Sequence, residues 1–316
     1  MAEIGKDIKK ARFLLESGEL VAIPTETVYG LAGNALNAAA VTKIFEVKRR
    51  PSFDPLIVHV PGIKNAEQYV EHIPAKAFEL AEKFWPGPLT IVLKKKPLIP
   101  DLVTSGLDTV GIRCPDHPLT SMLLQELTFP LAAPSANPFG YVSPTRPEHV
   151  NDQLGESIPF ILDGGPCGVG IESTIIGFEY DTPVVYRIGG LSLEAVEKTI
   201  GKVSVQLISS SNPKAPGQLK SHYAPRLKVI LGNLEDLLQR YPAHDAGVLS
   251  YTKDFNSPYQ FILSPSGNLE EAARNLFSAL REFDKMPIEI ILAELVPDIG
   301  LGQAINDRLR RAAAGD

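Results

Sequence analysis

The sequence contains only two cysteines, Cys114 and Cys167, in 316 residues, and they do not form a Cys-x-x-Cys pair. This pattern excludes a disulfide framework and a zinc ribbon. The six histidines are dispersed, and no two have the spacing of metal ligands. No apolar run approaches the ~18 residues that cross a bilayer, and the charged N-terminus lacks the apolar core of a signal peptide. We therefore expect a cytoplasmic protein with no metal held by the chain itself.

A charge excess of either sign is also lacking. The chain has 31 basic and 37 acidic residues, a formal net charge of −6, with 44% hydrophobic and 22% charged residues. This is the composition of an ordinary soluble globular protein. Because no global basic field exists, we expect neither strong direct binding to nucleic acid nor attachment to a membrane. A local basic pocket for a small molecule remains compatible with these totals.

Several well-known catalytic motifs are absent. The sequence has no Gly-x4-Gly-Lys-Ser/Thr, no Gly-x-Ser-x-Gly, no His-Glu-x-x-His and no complete Gly-x-Gly-x-x-Gly. These absences exclude a P-loop NTPase, an α/β-hydrolase, a zinc hydrolase and a typical dehydrogenase.

The order of predicted elements indicates an α/β fold with two domains. In residues 1–201 helices and strands mix without strict alternation, which favours a twisted mixed sheet with helices. Residues 202–226 are rich in turn residues and have no periodicity, which is typical of a linker, although such a long polar loop can also act as a lid. Residues 227–316 alternate strand and helix, which predicts a smaller Rossmann-like α/β domain.

A run of three cations, Lys48, Arg49 and Arg50, ends the helix predicted over 38–47. One interpretation is a solvated set of charges that complements the helix dipole. The other is a phosphate clamp, because a guanidinium binds phosphate oxygens in pairs and an ammonium supplies a point charge. His59 ends the next strand, where an ordinary core histidine is also a valid interpretation.

Three polar loops follow predicted strands. The segment "IPTETVYGLAGN" carries Thr27, the segment "APSAN" carries Ser135 and Asn137, and "LDGGPCGVGIEST" is rich in glycine. Each loop is explained equally well by local turn hydrogen bonds. Because α/β sites are assembled from several loops at strand ends, their accumulation predicts a polar ligand site.

Eight motifs occur in the order found in the threonylcarbamoyl-AMP synthases, the YrdC-like family, and the chain resembles the longer, two-domain form of that family. The motifs are "PTETVYGL", "KRRP", "WPGPLT", "LDTVGIRCPDHP", "APSAN", "LDGG", "GIESTI" and "HYAP". The resemblance implies a nucleotidyltransferase that converts L-threonine, bicarbonate and ATP, with Mg²⁺ accompanying the ATP, into threonylcarbamoyl-adenylate and pyrophosphate. It also implies that the product supplies N6-threonylcarbamoyladenosine at position 37 of tRNA, through a separate tRNA threonylcarbamoyl transferase complex.

The resemblance assigns site residues by their positions in the motifs. It implies a catalytic set that comprises Lys48, Arg50, Ser135 and Asn137. It implies ATP contacts from Arg50, Asp54, Thr109, Ser135, Ser143, Arg187 and Ser221. It implies threonine contacts from Thr27, His59, Arg113, Ala133 and Ser173.

Asp54 departs from the family pattern, in which asparagine commonly stands before this Pro-Leu. A carboxylate near a triphosphate repels it unless a cation lies between them. In the linker, "KSHYAP" matches the lid motif of the family, and any of Ser221, His222 and Tyr223 is a candidate nucleotide contact.

Two alternative functions come from other classes. An RNA-binding or ribosome-maturation module is disfavoured by the net charge of −6 and by the lack of interleaved aromatic and basic residues. A carbamoyl-transfer domain of a hydrogenase-maturation protein requires acylphosphatase and zinc-finger segments, and the chain has neither.

Overall fold

The structure of the protein is a computed structural model that describes residues 1–179, 181–207, 214–218, 223–242 and 244–314. Its internal contacts divide the chain into two compact units. Unit 1 comprises Met1–Phe139, Pro144–Gly168 and Glu172–Leu219. Unit 2 comprises Gly140–Ser143, Val169–Ile171 and Lys220–Asp316.

Unit 1 is built on one twisted sheet of eleven strands. They are β1 Glu3–Gly5, β2 Val21–Ile23, β3 Gly30–Asn34, β4 Ile57–His59, β5 Leu89–Lys94, β6 Thr109–Arg113, β7 Leu131–Ala132, β8 Phe160–Leu162, β9 Thr174–Glu179, β10 Thr182–Arg187 and β11 Ser204–Val205. Their order across the sheet is β1-β8-β2-β3-β7-β4-β6-β5-β9-β10-β11. Parallel pairs such as β4 with β6 alternate with antiparallel pairs such as β5 with β6, so the sheet is mixed as predicted.

Eight helices of unit 1 connect these strands. They are α1 Ile8–Glu16, α2 Ala38–Lys48, α3 Ile63–Ala66, α4 Ala75–Phe84, α5 Asp101–Thr104, α6 Pro118–Glu126, α7 Pro147–Leu154 and α8 Leu193–Ile200. One core cluster packs Ala11 and Leu15 of α1 against Val21 of β2 and Phe160 of β8.

The N-terminal segment differs from its predicted form. The spacing of Ile4, Ile8 and Ala11 in the sequence predicts a helix that begins at Ile4, but Ile4 lies in β1, which pairs in parallel with β8. The helix starts only at Ile8, because the Asp7 carboxylate accepts a hydrogen bond from Lys10 N at 3.1 Å and caps it. A helical spacing of apolar residues therefore identified α1 but not its first residue.

The register of the central strands places polar side chains in one row. Thr90 of β5 pairs with Arg113 of β6, and Arg113 pairs with His59 of β4. Side chains at paired positions point to the same face of a sheet. Thr90, Arg113 and His59 therefore share one face in the middle of a largely apolar sheet.

Unit 2 has a four-stranded parallel sheet in the order β12-β15-β13-β14. Its strands are β12 Lys228–Leu231, β13 Ala246–Ser250, β14 Gln260–Ile262 and β15 Ile290–Ala293. Its helices are α9 Leu234–Arg240, α10 Leu269–Phe283 and α11 Leu301–Ala313. The alternation that predicted a Rossmann-like layer is present, and β14 is an additional strand that the pattern did not indicate. No helix in the described ranges is long and apolar enough to cross a membrane.

Candidate active site

The end of α2 separates the three cations by burial. Arg49 has a positive φ of 52°, and the N–H groups of Arg49 and Arg50 bond back to Glu46 O and Phe45 O. This is the Schellman arrangement, here without the usual glycine. The turn buries Lys48 and Arg50, which are 1% and 8% exposed, and leaves Arg49 in solvent. The solvated interpretation of the cation run is therefore correct for Arg49 only.

Lys48 is held directly by the Ser-x-Asn loop, 87 residues further along the chain. Its Nζ donates to Ser135 O and to Asn137 O, each at 2.5 Å. The contact uses backbone carbonyls, which leaves the Ser135 side chain, in a half-buried residue, available to a ligand. Burial, with a further contribution from nearby Arg50, holds the pKa of Lys48 well below its ordinary range. A bound anion would restore the charged form.

Asp54 lies against Arg50 in a buried pair. Arg50 Nη2 is 2.9 Å from Asp54 Oδ2, and Arg50 Nε donates to Asp54 O at 3.0 Å. The Phe139 ring, 5.8 Å from the guanidinium carbon, lies on the same side chain. Burial raises the pKa of Asp54, while Arg50, Lys48 and Arg187 oppose that shift. The cation needed to offset this acid is thus part of the protein itself.

His59 and Arg113, from the predicted threonine set, lie side by side. Both are buried, at 2% and 4% exposure. Burial, and secondarily the charge of Arg113, lower the pKa of His59 to about 3, against weaker backbone hydrogen bonding from Ile57 and Leu131. His59 is therefore a neutral imidazole at physiological pH. The sheet register thus brings a neutral hydrogen-bonding group beside a permanent cation.

Glu26 is a functional candidate that the sequence reasoning did not select. Its Oε1 is 2.6 Å from Arg113 Nη2, and its Oε2 accepts the N–H of Asp116 at 3.0 Å. The turn that carries it is tied by the Thr25 hydroxyl, which accepts the N–H of Thr27 and of Val28. The flanking threonines marked this loop as polar, but the partner of Glu26 lies 87 residues away.

Ser173 connects the two predicted ligand sets. Its hydroxyl lies 2.7 Å from Thr90 Oγ1 and accepts from Arg187 Nη2 at 3.1 Å. Ser173 was predicted to contact threonine and Arg187 to contact nucleotide. Thr90, which was not predicted, places this pair on the same row as Arg113.

The remaining predicted residues occupy several places. Thr109 begins β6 on the same face as Arg113, about 13 Å away along the strand at ~3.3 Å per residue. Ala133 is buried, and its N–H donates to Ile57 O at 3.0 Å. Ser143 belongs to unit 2, where its carbonyl accepts from Arg281 Nε at 3.3 Å. Ser221, together with His222, lies outside the described residues.

The described part of the linker, residues 214–218, packs on unit 1. Ala215 is 1% exposed and joins an apolar cluster with Ile57, Val92 and Tyr186. The Gln218 side chain accepts the N–H of Lys214 and donates to Gln206 O. Because Ile57 and Val92 flank Gly111 on the face that carries Arg113, this segment lies on the same face of the sheet as the predicted site.

Comparisons with known proteins match nearly the whole length of the chain. A family model described as "Telomere recombination" (Sua5_yciO_yrdC) matches residues 14–189, and one described as "Threonylcarbamoyl-AMP synthase, C-terminal domain" matches residues 191–314. The threonylcarbamoyl-AMP synthase of Bacillus subtilis is 44% identical over 98% of this chain and 93% of its own length. That of Pyrococcus abyssi is 41% identical, with 97% and 94% covered. The crystal structure of P. abyssi Sua5 complexed with L-threonine matches with a TM-score of 0.93 and 40% identity, over 99% of this chain and 97% of that one, which confirms the predicted fold class.

Proposed function

The chain belongs to the threonylcarbamoyl-AMP synthase (Sua5) family, and we propose that the cations at the end of α2 and the polar row on β6 and β4 form its active site. The protein converts L-threonine, bicarbonate and ATP into threonylcarbamoyl-AMP and pyrophosphate. The product serves the formation of N6-threonylcarbamoyladenosine at position 37 of tRNA.

The observation that carries the proposal is the contact of Lys48 with the carbonyls of Ser135 and Asn137. It brings an ammonium and two polar side chains to one place beside the guanidinium of Arg50. The reaction needs a cationic site of this kind, because a carbamate oxygen attacks the α-phosphate of ATP and negative charge develops on the phosphoryl oxygens. Lys48 and Arg50 neutralise those oxygens, and Ser135 and Asn137 orient them. Catalysis then consists of positioning and charge stabilisation, with no covalent enzyme intermediate.

The amino acid binds on the row of β6 and β4. Arg113 takes the threonine carboxylate, neutral His59 and Thr27 bond its polar groups, and Ser173 completes the set. Arg187 and Thr109 contact the nucleotide, together with Ser143 and Ser221. Asp54 acts by holding the Arg50 guanidinium in place, because its carboxylate is already paired with that cation.

Mg²⁺ enters as part of the MgATP substrate. Within the described ranges, no group of three or more His, Cys, Asp or Glu side chains converges in a way that could hold a metal ion. The carboxylate beside the cations, Asp54, is bound to Arg50. We assign the ion to the triphosphate and to water, because Mg²⁺ prefers phosphate oxygens.

The linker over 202–226 closes on the bound substrates and separates a catalytic domain, 1–201, from a smaller domain, 227–316. Ala215 is buried on the face of the sheet that carries the proposed site, and it packs in an apolar cluster of unit 1. This contact supports the lid, because it holds the segment against that face. Such a lid would keep water from the labile adenylate. The product then passes to a separate tRNA threonylcarbamoyl transferase complex in the cytoplasm.

The proposal is tested by following pyrophosphate release from ATP without RNA. Release should require both L-threonine and bicarbonate, and Lys48→Ala and Arg50→Ala should each reduce it by at least about a hundredfold. Lys43→Ala is the matched control, because Lys43 lies on the same helix but pairs with Glu19 at the surface. Wild-type release by the Lys48 and Arg50 variants contradicts the assignment, and a requirement for RNA would favour the RNA-binding alternative.

A further inference from the structure

The Glu26–Arg113 pair is an ion pair placed where the proposed amino-acid substrate binds. The side chains are only 11% and 5% exposed. Burying two charges is costly, and an apolar pair of similar size often stabilises a fold equally well. A buried ion pair in a ligand site therefore calls for a functional reason.

Both partners keep unused hydrogen-bonding capacity. Arg113 donates from Nη2 to Glu26, but its buried Nε has no acceptor among the residues that the structure describes. Glu26 receives one hydrogen bond on each oxygen, from Arg113 and from Asp116 N. A carboxylate offers about four acceptor positions. Among the described residues, the pair therefore combines an unused Arg113 N–H donor with unused acceptor positions on Glu26.

We infer that Glu26 and Arg113 together recognise the zwitterionic form of the substrate amino acid, with Arg113 on the α-carboxylate and Glu26 on the α-ammonium. The ammonium and the carboxylate of an amino acid are attached to the same carbon, and the two charged groups of this ion pair approach each other to 2.6 Å. This inference rests on the proposed placement of threonine at Arg113. It adds a residue that selects for the amine, the group on which the carbamate later forms.

The same geometry rejects anions that lack an amine. Such a ligand would bring its carboxylate to Arg113 beside the negative charge of Glu26 and would offer no cation in return. Two carboxylates that lie side by side in a buried site, here those of the ligand and of Glu26, repel each other strongly. Glu26 thus contributes to specificity both by attracting the ammonium and by penalising simple carboxylates.

The test compares L-threonine with 3-hydroxybutyrate, which is threonine without its α-amine. Binding of each is measured calorimetrically to the full chain, for wild type, Glu26→Gln and Glu26→Asp. Glutamine keeps the size and an oxygen acceptor for Arg113 but removes the charge, whereas aspartate keeps the charge. We expect Glu26→Gln to reduce the preference for threonine over 3-hydroxybutyrate by about tenfold or more, the effect of one charge-assisted hydrogen bond. Glu26→Asp should keep most of that preference.

A folding defect would weaken the binding of both ligands alike, because they share the carboxylate and the hydroxyl. The ratio of the two dissociation constants therefore reports the contribution of the amine alone. ATP affinity, which should stay at the wild-type value in Glu26→Gln, gives a second check on folding. A preference that stays within about twofold of wild type in Glu26→Gln overturns the inference. Arg113→Gln should weaken both ligands, and if it changes neither, the placement of threonine at Arg113 is wrong and the inference falls with it.

Discussion

Arg187 donates twice to Ser173, from Nε to the carbonyl oxygen at 2.9 Å and from Nη2 to the hydroxyl at 3.1 Å. One of these residues is assigned to the nucleotide and the other to the amino acid. Arg187 also acts electrostatically on Asp54, the partner of Arg50. A single guanidinium therefore connects both halves of the proposed site, and this predicts that the two substrates are bound interdependently.

We expect Ser173→Ala to raise the KM for L-threonine and the KM for ATP together, each by about tenfold. The reason is that a hydrogen bond to a charged group contributes about 1.5–3 kcal/mol, and without the hydroxyl Arg187 Nη2 loses the contact that orients its guanidinium, although Nε still donates to the backbone carbonyl. Steady-state kinetics with each substrate varied in turn measures both constants. Ser17→Ala serves as the control, because it removes a surface hydroxyl that bonds only within its own helix end. A change in the threonine KM alone would contradict the coupling.

We expect Asp54→Asn to lower the KM for ATP by about fivefold, because it removes a negative charge beside the triphosphate while an amide oxygen still accepts from Arg50. Asp54→Ala should act in the opposite direction, since Arg50 then loses its side-chain anchor. ATP titrations of pyrophosphate release distinguish the two variants. If both variants raise KM equally, Asp54 contacts the substrate or its metal ion rather than only holding Arg50.

The KM for ATP should rise with increasing pH, and the rise should begin below the pH at which an exposed lysine loses its proton. Burial and Arg50 hold the pKa of Lys48 below its ordinary range, so its ammonium is lost at a lower pH than that of an exposed lysine. Only the protonated form attracts the triphosphate, hence affinity falls as the proton leaves. In Lys48→Met this dependence should disappear at a uniformly high KM. A wild-type KM that does not change with pH would contradict a role for the titrating Lys48 ammonium in ATP binding.

His59 predicts an acid-sensitive stability. Its pKa is about 3 in the folded chain and about 6.5 when unfolded, so the unfolded state binds more protons between these values. Stability from the neutral imidazole is thus complete above pH 6.5 and is lost progressively as pH falls towards 3. Between pH 6.5 and 5 this amounts to about 2 kcal/mol. Urea unfolding of wild type and His59→Asn at both pH values measures it, and an identical pH dependence in the two proteins would refute the assignment.

Ala215→Asp should detach residues 214–218 from unit 1. An unpaired carboxylate in the cluster around Ile57 and Val92 costs several kcal/mol, which the short segment avoids by moving into water. We expect faster proteolysis in this segment and increased hydrolysis of the adenylate, measured as AMP release. Lys214→Ala is the neighbouring control, because its pair with Glu179 is exposed and contributes little. Normal adenylate retention in Ala215→Asp would argue against a lid.

Much of the fold was predictable, because it depends on local patterns. The apolar run in β5 and the periodicity of α10 each identify an element from a few neighbouring residues. Four strands escaped prediction. β1, β11 and β14 are edge strands of two or three residues, and β3 lies within the segment interpreted as a polar loop. Short edge elements exist through pairing with another strand, and their own sequence carries little signal.

The residues of the candidate site that belong to sequence motifs could be predicted, and the others could not. Lys48, Arg50, Arg113 and Ser173 were all selected, and the structure brings Lys48 into contact with the loop of Ser135 and Asn137, and Ser173 into contact with Arg187. Glu26 and Thr90 were not selected, because an acid and a threonine are common in turns and strands. Their importance comes only from what they touch.

The sequence by itself determined which chemical groups the chain contains and their order. These groups are the cations that end a helix, the hydroxyls that follow strands, and the motifs of one enzyme family along the whole chain. Tertiary structure alone decided which groups meet. Lys48 and Ser135 are 87 residues apart, as are Glu26 and Arg113. Their contacts are set by sheet register and burial, and these same long-range effects determine charge state, since an amine or imidazole changes its pKa only when the folded chain removes it from water.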